Sequence, residues 1–557
     1  MKRAGFVVLA ALAALVAKPV DASDAPVLVE LFERWSERAL GDLRLEGAPP
    51  PSRTSMAVFD YAYYTARGSF GGLVTERAGR SRPTKVEVVV GDDALNSTRF
   101  TSSGRSRGPS DAWRRLNLVV EDVPIAIERD LWMATDQSYK AAVAVLQAKD
   151  AGRRAVGGES PSDWSPAPAV RSLRAPAPEP IDEAVLRGIA TGGSKALGDV
   201  GGLDRVSVRV NAIEGRYTIV DSGGIAVVQP IGYAVARAYA SVRRSDGVIV
   251  DDELQWVARA VADLPDIATI TTESVAMGRS ILARAAAEPV DYYEGPVLFE
   301  GEAAADFFRY LLPPDLRGTP PLARAGQSYE RSTRSGPRLG RKLLPDGWSV
   351  VDDPRSARPG QAGGFDYDFE GVAAAPVTLV EDGWVRGFVM SRVPRKELSG
   401  SNGHARGAVQ SNWEGRLSLW TVRPPKALPA KRFEREVAAV QRASGLDRIL
   451  VVRRMGRVSE GTLPRPADAV WRAADGAETP VLSVMFQHVD RRTLRDLGAA
   501  TGEQDRAYLA PLRAGSRAGT DGGLPMVART PTGLIVQNME AVFPGPGEKP
   551  RVLGPPE

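Results

Sequence analysis

Residues 293–312 read YEGPVLFEGEAAADFFRYLL. Pro296 to Phe299 is a short apolar run of the kind that forms a buried strand. A tight turn follows, and Glu302 to Leu312 then reads as a helix. This strand, turn and helix form the most informative stretch of the chain.

Upstream, Leu28, Leu31, Phe32 and Trp35 fall at helical spacing within residues 25–40. Met56 to Tyr64 alternates as a strand, and Val86, Val88 and Val90 predict another. A longer helix spans about Ile127 to Arg153, with an apolar stripe through Leu131, Trp132, Tyr139, Ala142, Val143 and Leu146. Residues 156–181 are dense in Pro, Ser, Gly and Ala without periodicity and read as a linker. Strands are expected at Val206–Val210, Arg216–Val220, Tyr233–Tyr239 and Val248–Val250, the second ending in the turn Asp221-Ser222-Gly223-Gly224. Helices are expected over about 252–262 and 272–287.

Downstream, hairpins are expected around Asp382-Gly383 and Asp475-Gly476. The first pairs Pro376–Val380 with Trp384–Val393, and the second pairs Val470–Arg472 with Val481–His488. A helix near Arg432–Arg442 interrupts the strands. Pro313–Gly347 is long and aperiodic, and the tail from about Leu512 reads as similarly loose. The expected class is α+β. Its units are a leader at 1–22, an α/β portion at 23–155, the linker at 156–181, a middle α/β segment at 182–290 and a β-rich unit at 291–557.

The chain has 557 residues, 43% of them hydrophobic and 25% charged, which excludes wholesale disorder. Lys2 and Arg3, the apolar run Ala4–Val16 and Val20-Asp21-Ala22 predict a secretory leader cleaved after Ala22, hence a periplasmic or extracellular protein. That run is too short to span a bilayer. Residues 23–557 carry a formal charge of +2 with acids and bases interspersed, so no nucleic-acid footprint is visible. There is no cysteine, and only two histidines occur, His404 and His488. Thiol catalysis, disulfides and thiolate ligands are excluded. No GxSxG elbow, P-loop or dinucleotide fingerprint is present.

Several segments, in order, resemble the TldD/PmbA metallopeptidase family. They are LWMATDQSYKAAVAVLQAK (131–149), YTIVDSGG (217–224), the opening segment, the block Val351–Arg392, SGSNGHARGAVQSN (399–412) and AVWRAADGAETPVLSVMF (469–486). The resemblance covers most of residues 125–490 and is weak over the first hundred residues after the leader. It implies an α/β N-terminal portion and a β-rich, hairpin-built C-terminal domain with a cleft. It also implies a subunit that cuts unfolded peptides and can pair with a related subunit lacking the metal motif.

In active members of that family the helix carries HExxxH. Arg309, Tyr310 and Pro314 occupy the matching positions here. Two helix histidines bind zinc and the adjacent glutamate activates water, whereas a guanidinium cannot ligate a metal. Pro314, with Pro313, is expected to end the helix. The resemblance therefore implies a scaffold without catalytic residues and with no cofactor. The alternative is an active metallopeptidase with zinc held by a rebuilt set drawn from Glu300, Glu302, Asp306, His404 and His488. A third reading is a structural module of the cell envelope.

Arg309 lies three residues after Asp306, which suits either a surface ion pair or a fixed cation for a peptide carbonyl or carboxylate. Asp366, Asp368 and Glu370 alternate in GGFDYDFEG and would share one strand face, suited to calcium or a cationic peptide, or simply polar. Gly363 and Gly364 would permit close approach of a ligand backbone. His404 reads as a polar loop group and His488 as a strand residue. The expected partner is a peptide or unfolded polypeptide, taken up by strand addition in the C-terminal cleft, with homo- or hetero-oligomers implied by the resemblance.

Overall fold

The alternating runs of the N-terminal half fold as one eight-stranded sheet. In the computed structural model, residues 24–101, 113–157, 159–289, 291–334, 336–408, 410–456, 462–510 and 523–543 are described. The expected leader, residues 1–22, lies outside them. Three long strands, Pro51–Ser69, Arg205–Asp221 and Ile225–Arg243, form the centre of the sheet, all antiparallel. The strands expected at 206–210 and 216–220 are one continuous element.

Even-numbered side chains of these strands face four helices. Asp24–Asp42 and Pro124–Val156 cover one end, where Phe32 and Leu131 meet Met56, Val58 and Val220. Glu183–Gly198 and Ile267–Ala285 cover the other, where Leu186 and Met277 meet Tyr64, Val208 and Ala236. Both of these last helices start on an aspartate that accepts from the backbone, Asp182 from Val185 N and Asp266 from Thr269 N. Trp132, placed on the buried stripe by spacing, is exposed: the buried stripe runs through Ile127, Leu131 and Ala134, and the next residue after Leu131 turns about 100° away from it.

Residues 252–262 are not a helix. Ile249–Ala258 is a strand paired with Ile225–Arg243. Its helix-forming composition is overridden by a sheet edge that satisfies every other residue. Both 23–155 and 182–290 supply strands to this single sheet, and Val170–Ser172 of the intervening segment adds a short parallel strand to it.

The C-terminal half holds two larger sheets with the opening helix between them. In the eight-stranded one, Tyr292–Glu300 lies between Gly533–Val542 and Arg448–Met455. The six-stranded one contains Ser349–Asp352, Leu419–Arg423, Leu524–Pro531 and Glu503–Ala510. Gly301, at φ +57°, turns the strand into the helix Glu302–Leu311. The helix ends ahead of Pro313, and a single turn, Pro313–Leu316, follows. Val297 and Phe299 face this helix. Leu298 faces the opposite way, toward the helix Ala430–Ser444.

The tail is not loose throughout. Leu524–Pro531 and Gly533–Val542 are buried strands, the latter central to its sheet. The Asp382-Gly383 turn forms with both residues at positive φ, but the returning strand is only Trp384–Val385. In the second hairpin Glu478–Pro480 pairs with Val470–Arg472, while Met485–Gln487 crosses to Gly533–Val542. The 313–347 segment is partly ordered as short helices, and Ala323–Arg324 pairs with Phe100–Thr101. Among the described residues no helix is long and apolar enough to cross a membrane.

Candidate functional site

Among the described residues, the face of the first sheet turned away from the helices is covered only at its ends. At one end Ala57, Tyr217 and Ile219 pack on Phe369, Ala405 and Trp413. At the other Tyr233 and Val235 pack on Ala362 and Leu509. Between these contacts lies a cavity of about 760 Å³. Its floor is the odd-numbered register of the sheet, including Tyr61, Tyr63, Asn211 and Ile213, and its roof includes Phe365 and Arg406 of the C-terminal loops. The cleft expected within the C-terminal hairpins is thus shared between both halves of the chain.

Gly363 and Gly364 do line the cavity. Their close neighbours, however, belong to the chain itself: a Cβ on Gly363, at φ +97°, would lie 2.7 Å from Pro525 O, and one on Gly364 2.6 Å from Ala357 Cβ. The glycines seat the roof.

Asp366, Asp368 and Glu370 do not share a strand face. The segment is a turn, Asp366 is exposed, and the other two are buried. Asp368 accepts from Glu370 N and Val372 N at 2.9 Å and from Ala405 N at 2.9 Å. Burial, with the Glu370 charge beside it, outweighs these donors and pushes Asp368 up to about 8. Burial also raises Glu370, against the Arg392 backbone N–H, which it accepts at 2.6 Å.

A carboxylic acid that binds its proton more tightly folded than unfolded favours folding at low pH, and that contribution is lost as pH rises through its folded value. The melting temperature is therefore expected to fall between about pH 4 and about pH 8. Asp368→Asn should flatten that slope in a calorimetric pH series.

His404 is a loop residue, as expected, and is fully buried. Its Nδ1 donates to Asn402 O at 3.0 Å and its Nε2 lies 3.3 Å from Asp352 Oδ1. His488 lies just past its strand at φ +54°, exposed, with Nδ1 3.1 Å from Glu540 Oε2. The two histidines are in separate environments.

On the opening helix, Arg309 is not a solvated surface cation. Its guanidinium lies 4.7 Å from the Tyr310 ring centre and 4.5 Å from that of Tyr508, and donates to Asp306 at 2.9 Å. Tyr310 donates to Gly456 O and is buried, and Pro314 is exposed on the following turn. Burial raises Asp306, and Arg309 offsets this. Glu302 pairs with Arg506 at 2.6 Å and Glu300 with Arg472 at 2.7 Å. Among the described residues no group of three or more His, Cys, Asp or Glu is placed to hold a metal ion. The donor set thus does not fit the zinc that the resemblance implies for active members.

Residues 293–539 match the PmbA/TldA metallopeptidase C-terminal domain. Over these residues the chain matches the TldD/PmbA family. A metalloprotease of Archaeoglobus fulgidus is 38% identical over 69 residues, a match that spans 12% of this chain and 16% of that curated relative. TldE from Thermococcus kodakarensis superposes with a TM-score of 0.60 at 15% identity, over 94% of this chain and all of that one. A putative modulator of a DNA gyrase from Thermotoga maritima superposes at 0.58 and 13% identity, over 92% of this chain and all of that one. These structures share the TldD/PmbA fold.

Arg67, Arg209, Arg237 and Arg406 were not legible as site residues from the sequence. Tyr61, Tyr63 and Arg67 occupy the odd phase of the strand whose even phase is mostly apolar, with Met56, Val58, Ala62, Tyr64 and Ala66. Bulky aromatic and cationic side chains in the phase opposite a buried one are the signal that marks this face.

Proposed function

We propose that this chain is an exported, non-catalytic member of the TldD/PmbA family that binds unfolded peptides and pairs with a related, active subunit. One contrast carries the reading. The helix positions used for metal in active members are closed by the Arg309–Tyr310–Tyr508 stack and Asp306, while a cavity of about 760 Å³ stands open beside the sheet.

The cavity suits an extended chain. Gly72–Ser81, which pairs with Pro51–Ser69 along one edge, reaches it through Thr75 and Arg77. A peptide strand added beside Gly72–Ser81 would gain backbone hydrogen bonds and lay alternate side chains into the cavity. The apolar-run leader at 1–22 supports export, and the family resemblance supports a partner subunit.

The test is to incubate the purified protein with a labelled unfolded polypeptide, with zinc added or chelated, and to follow binding and cleavage together. Saturable binding of a polypeptide that stays intact, unchanged by chelator, is the expected result.

A further inference from the structure

The odd-numbered face that floors the cavity carries arginines in one row. Arg67 stands directly opposite Arg209, and Arg209 directly opposite Arg237, across three adjacent antiparallel strands. Neighbouring strands lie about 4.8 Å apart, so the three side chains start within about 10 Å of one another. Like charges directly opposite on one face of a sheet repel. Nothing in the helix-packed side of these strands requires arginine at those positions, since the even-numbered residues alone face the helices.

The row is part of a wider bias. Among the described residues lining the cavity there are six arginines (67, 77, 209, 237, 259 and 406) and no aspartate, glutamate or lysine. Partners of two of these arginines bear on the charge left in the cavity. Arg259 donates to Glu214 at 2.6 Å. Arg237 meets the Gln255 amide oxygen at 2.9 Å and 3.0 Å once that amide is oriented oxygen-first.

Arg406 is buried in the roof, with its guanidinium 4.5 Å from the Phe365 ring centre and 4.9 Å from Phe369, and its Nε makes no hydrogen bond. Arg67 Nε, on the floor, makes none either. Planar guanidinium forks of this kind suit carboxylates, which they bind through paired N–H groups.

We infer that the cleft selects anionic extended peptides, with the Arg67–Arg209–Arg237 row holding carboxylates of acidic side chains or of a chain terminus. This rests on the peptide reading above and narrows it to a substrate class. A peptide fits better than a nucleic acid because the unbalanced basic charge is local to this cavity. The chain as a whole is nearly neutral and lacks the broad basic surface that phosphate backbones engage. Asn211, also in the lining, supplies an amide of the kind that pairs with a peptide backbone, while the Gln229 amide is engaged by the Tyr367 backbone.

The experiment measures fluorescence anisotropy of three labelled peptides of equal length, one acidic, one neutral and one basic, with the full chain and with Arg67→Gln/Arg209→Gln. The acidic peptide is expected to bind at least about tenfold more tightly than the neutral one. Its affinity should fall as salt rises from about 50 mM to about 500 mM. In the double variant the acidic-over-neutral preference should fall to about unity.

Should that variant fail to fold, Arg77→Gln, on the exposed edge strand, is expected to lower the same preference. Equal binding of all three peptides would overturn the anionic selectivity and leave peptide binding standing. Binding of none would overturn both. Tight binding of a single-stranded oligonucleotide with no acidic-peptide binding would overturn the inference in favour of a nucleic-acid ligand.

Discussion

Arg392→Met is expected to destabilise the protein by roughly 3–5 kcal/mol. Arg392 is buried in a polar knot that ties three parts of the chain together. Its Nε donates to Ser165 O at 2.9 Å, in the segment between the two N-terminal strand sets. Its guanidinium lies 4.6 Å from the Trp164 ring centre, and Nη1 is 3.8 Å from Asp221 in the turn of the first sheet. Its backbone N–H serves Glu370 beneath the cleft roof.

Methionine fills much of the volume but leaves Asp221 and Glu370 facing Arg53 and Lys85 with one cation fewer. An uncompensated buried charge costs far more than the pair itself contributes. Urea unfolding with an unchanged m-value should report the loss. A change below about 1 kcal/mol would mean the knot behaves as a set of surface pairs.

Phe307→Ala is the second large effect, also roughly 3–5 kcal/mol. Phe307 is wholly buried on the helix held between the two C-terminal sheets. Its ring centre lies 5.1 Å from that of Phe299 on the strand and 5.5 Å from that of Phe308. Both flanking layers are sheets, each fixed by its own hydrogen bonds, so the cavity left by truncation closes poorly. Phe307→Leu keeps most of the volume and should lose only about 1–2 kcal/mol. Equal losses for the two variants would show that this helix is held by something other than its apolar packing.

The strand–helix at 292–311 and the helices at 24–42 and 124–156 were legible because each signal is local: an apolar run before a glycine turn, or a stripe at helical spacing. Two misreadings have a common cause. Ile249–Ala258 has helix-forming residues, and Gly533–Val542 looks like tail, yet each is set by strands distant in sequence. The site was obscured for a related reason. Arg67, Arg209 and Arg237 are unremarkable one at a time and become a row only through the register of three strands. Asp368, Glu370 and His404, polar in glycine-rich sequence, were open to both a binding and a plain polar reading. The structure uses them to hold turns and roof loops in place. Arg309 was open to two readings until Tyr508, far along the chain, closed over it.

The central claim is that this chain holds peptide without cutting it. Its most direct test is mass spectrometry of an unfolded polypeptide incubated with the purified protein and added zinc. The account predicts that the polypeptide is bound and recovered intact, with no stoichiometric zinc retained by the protein. Retained zinc together with cleavage that stops on addition of chelator would contradict it.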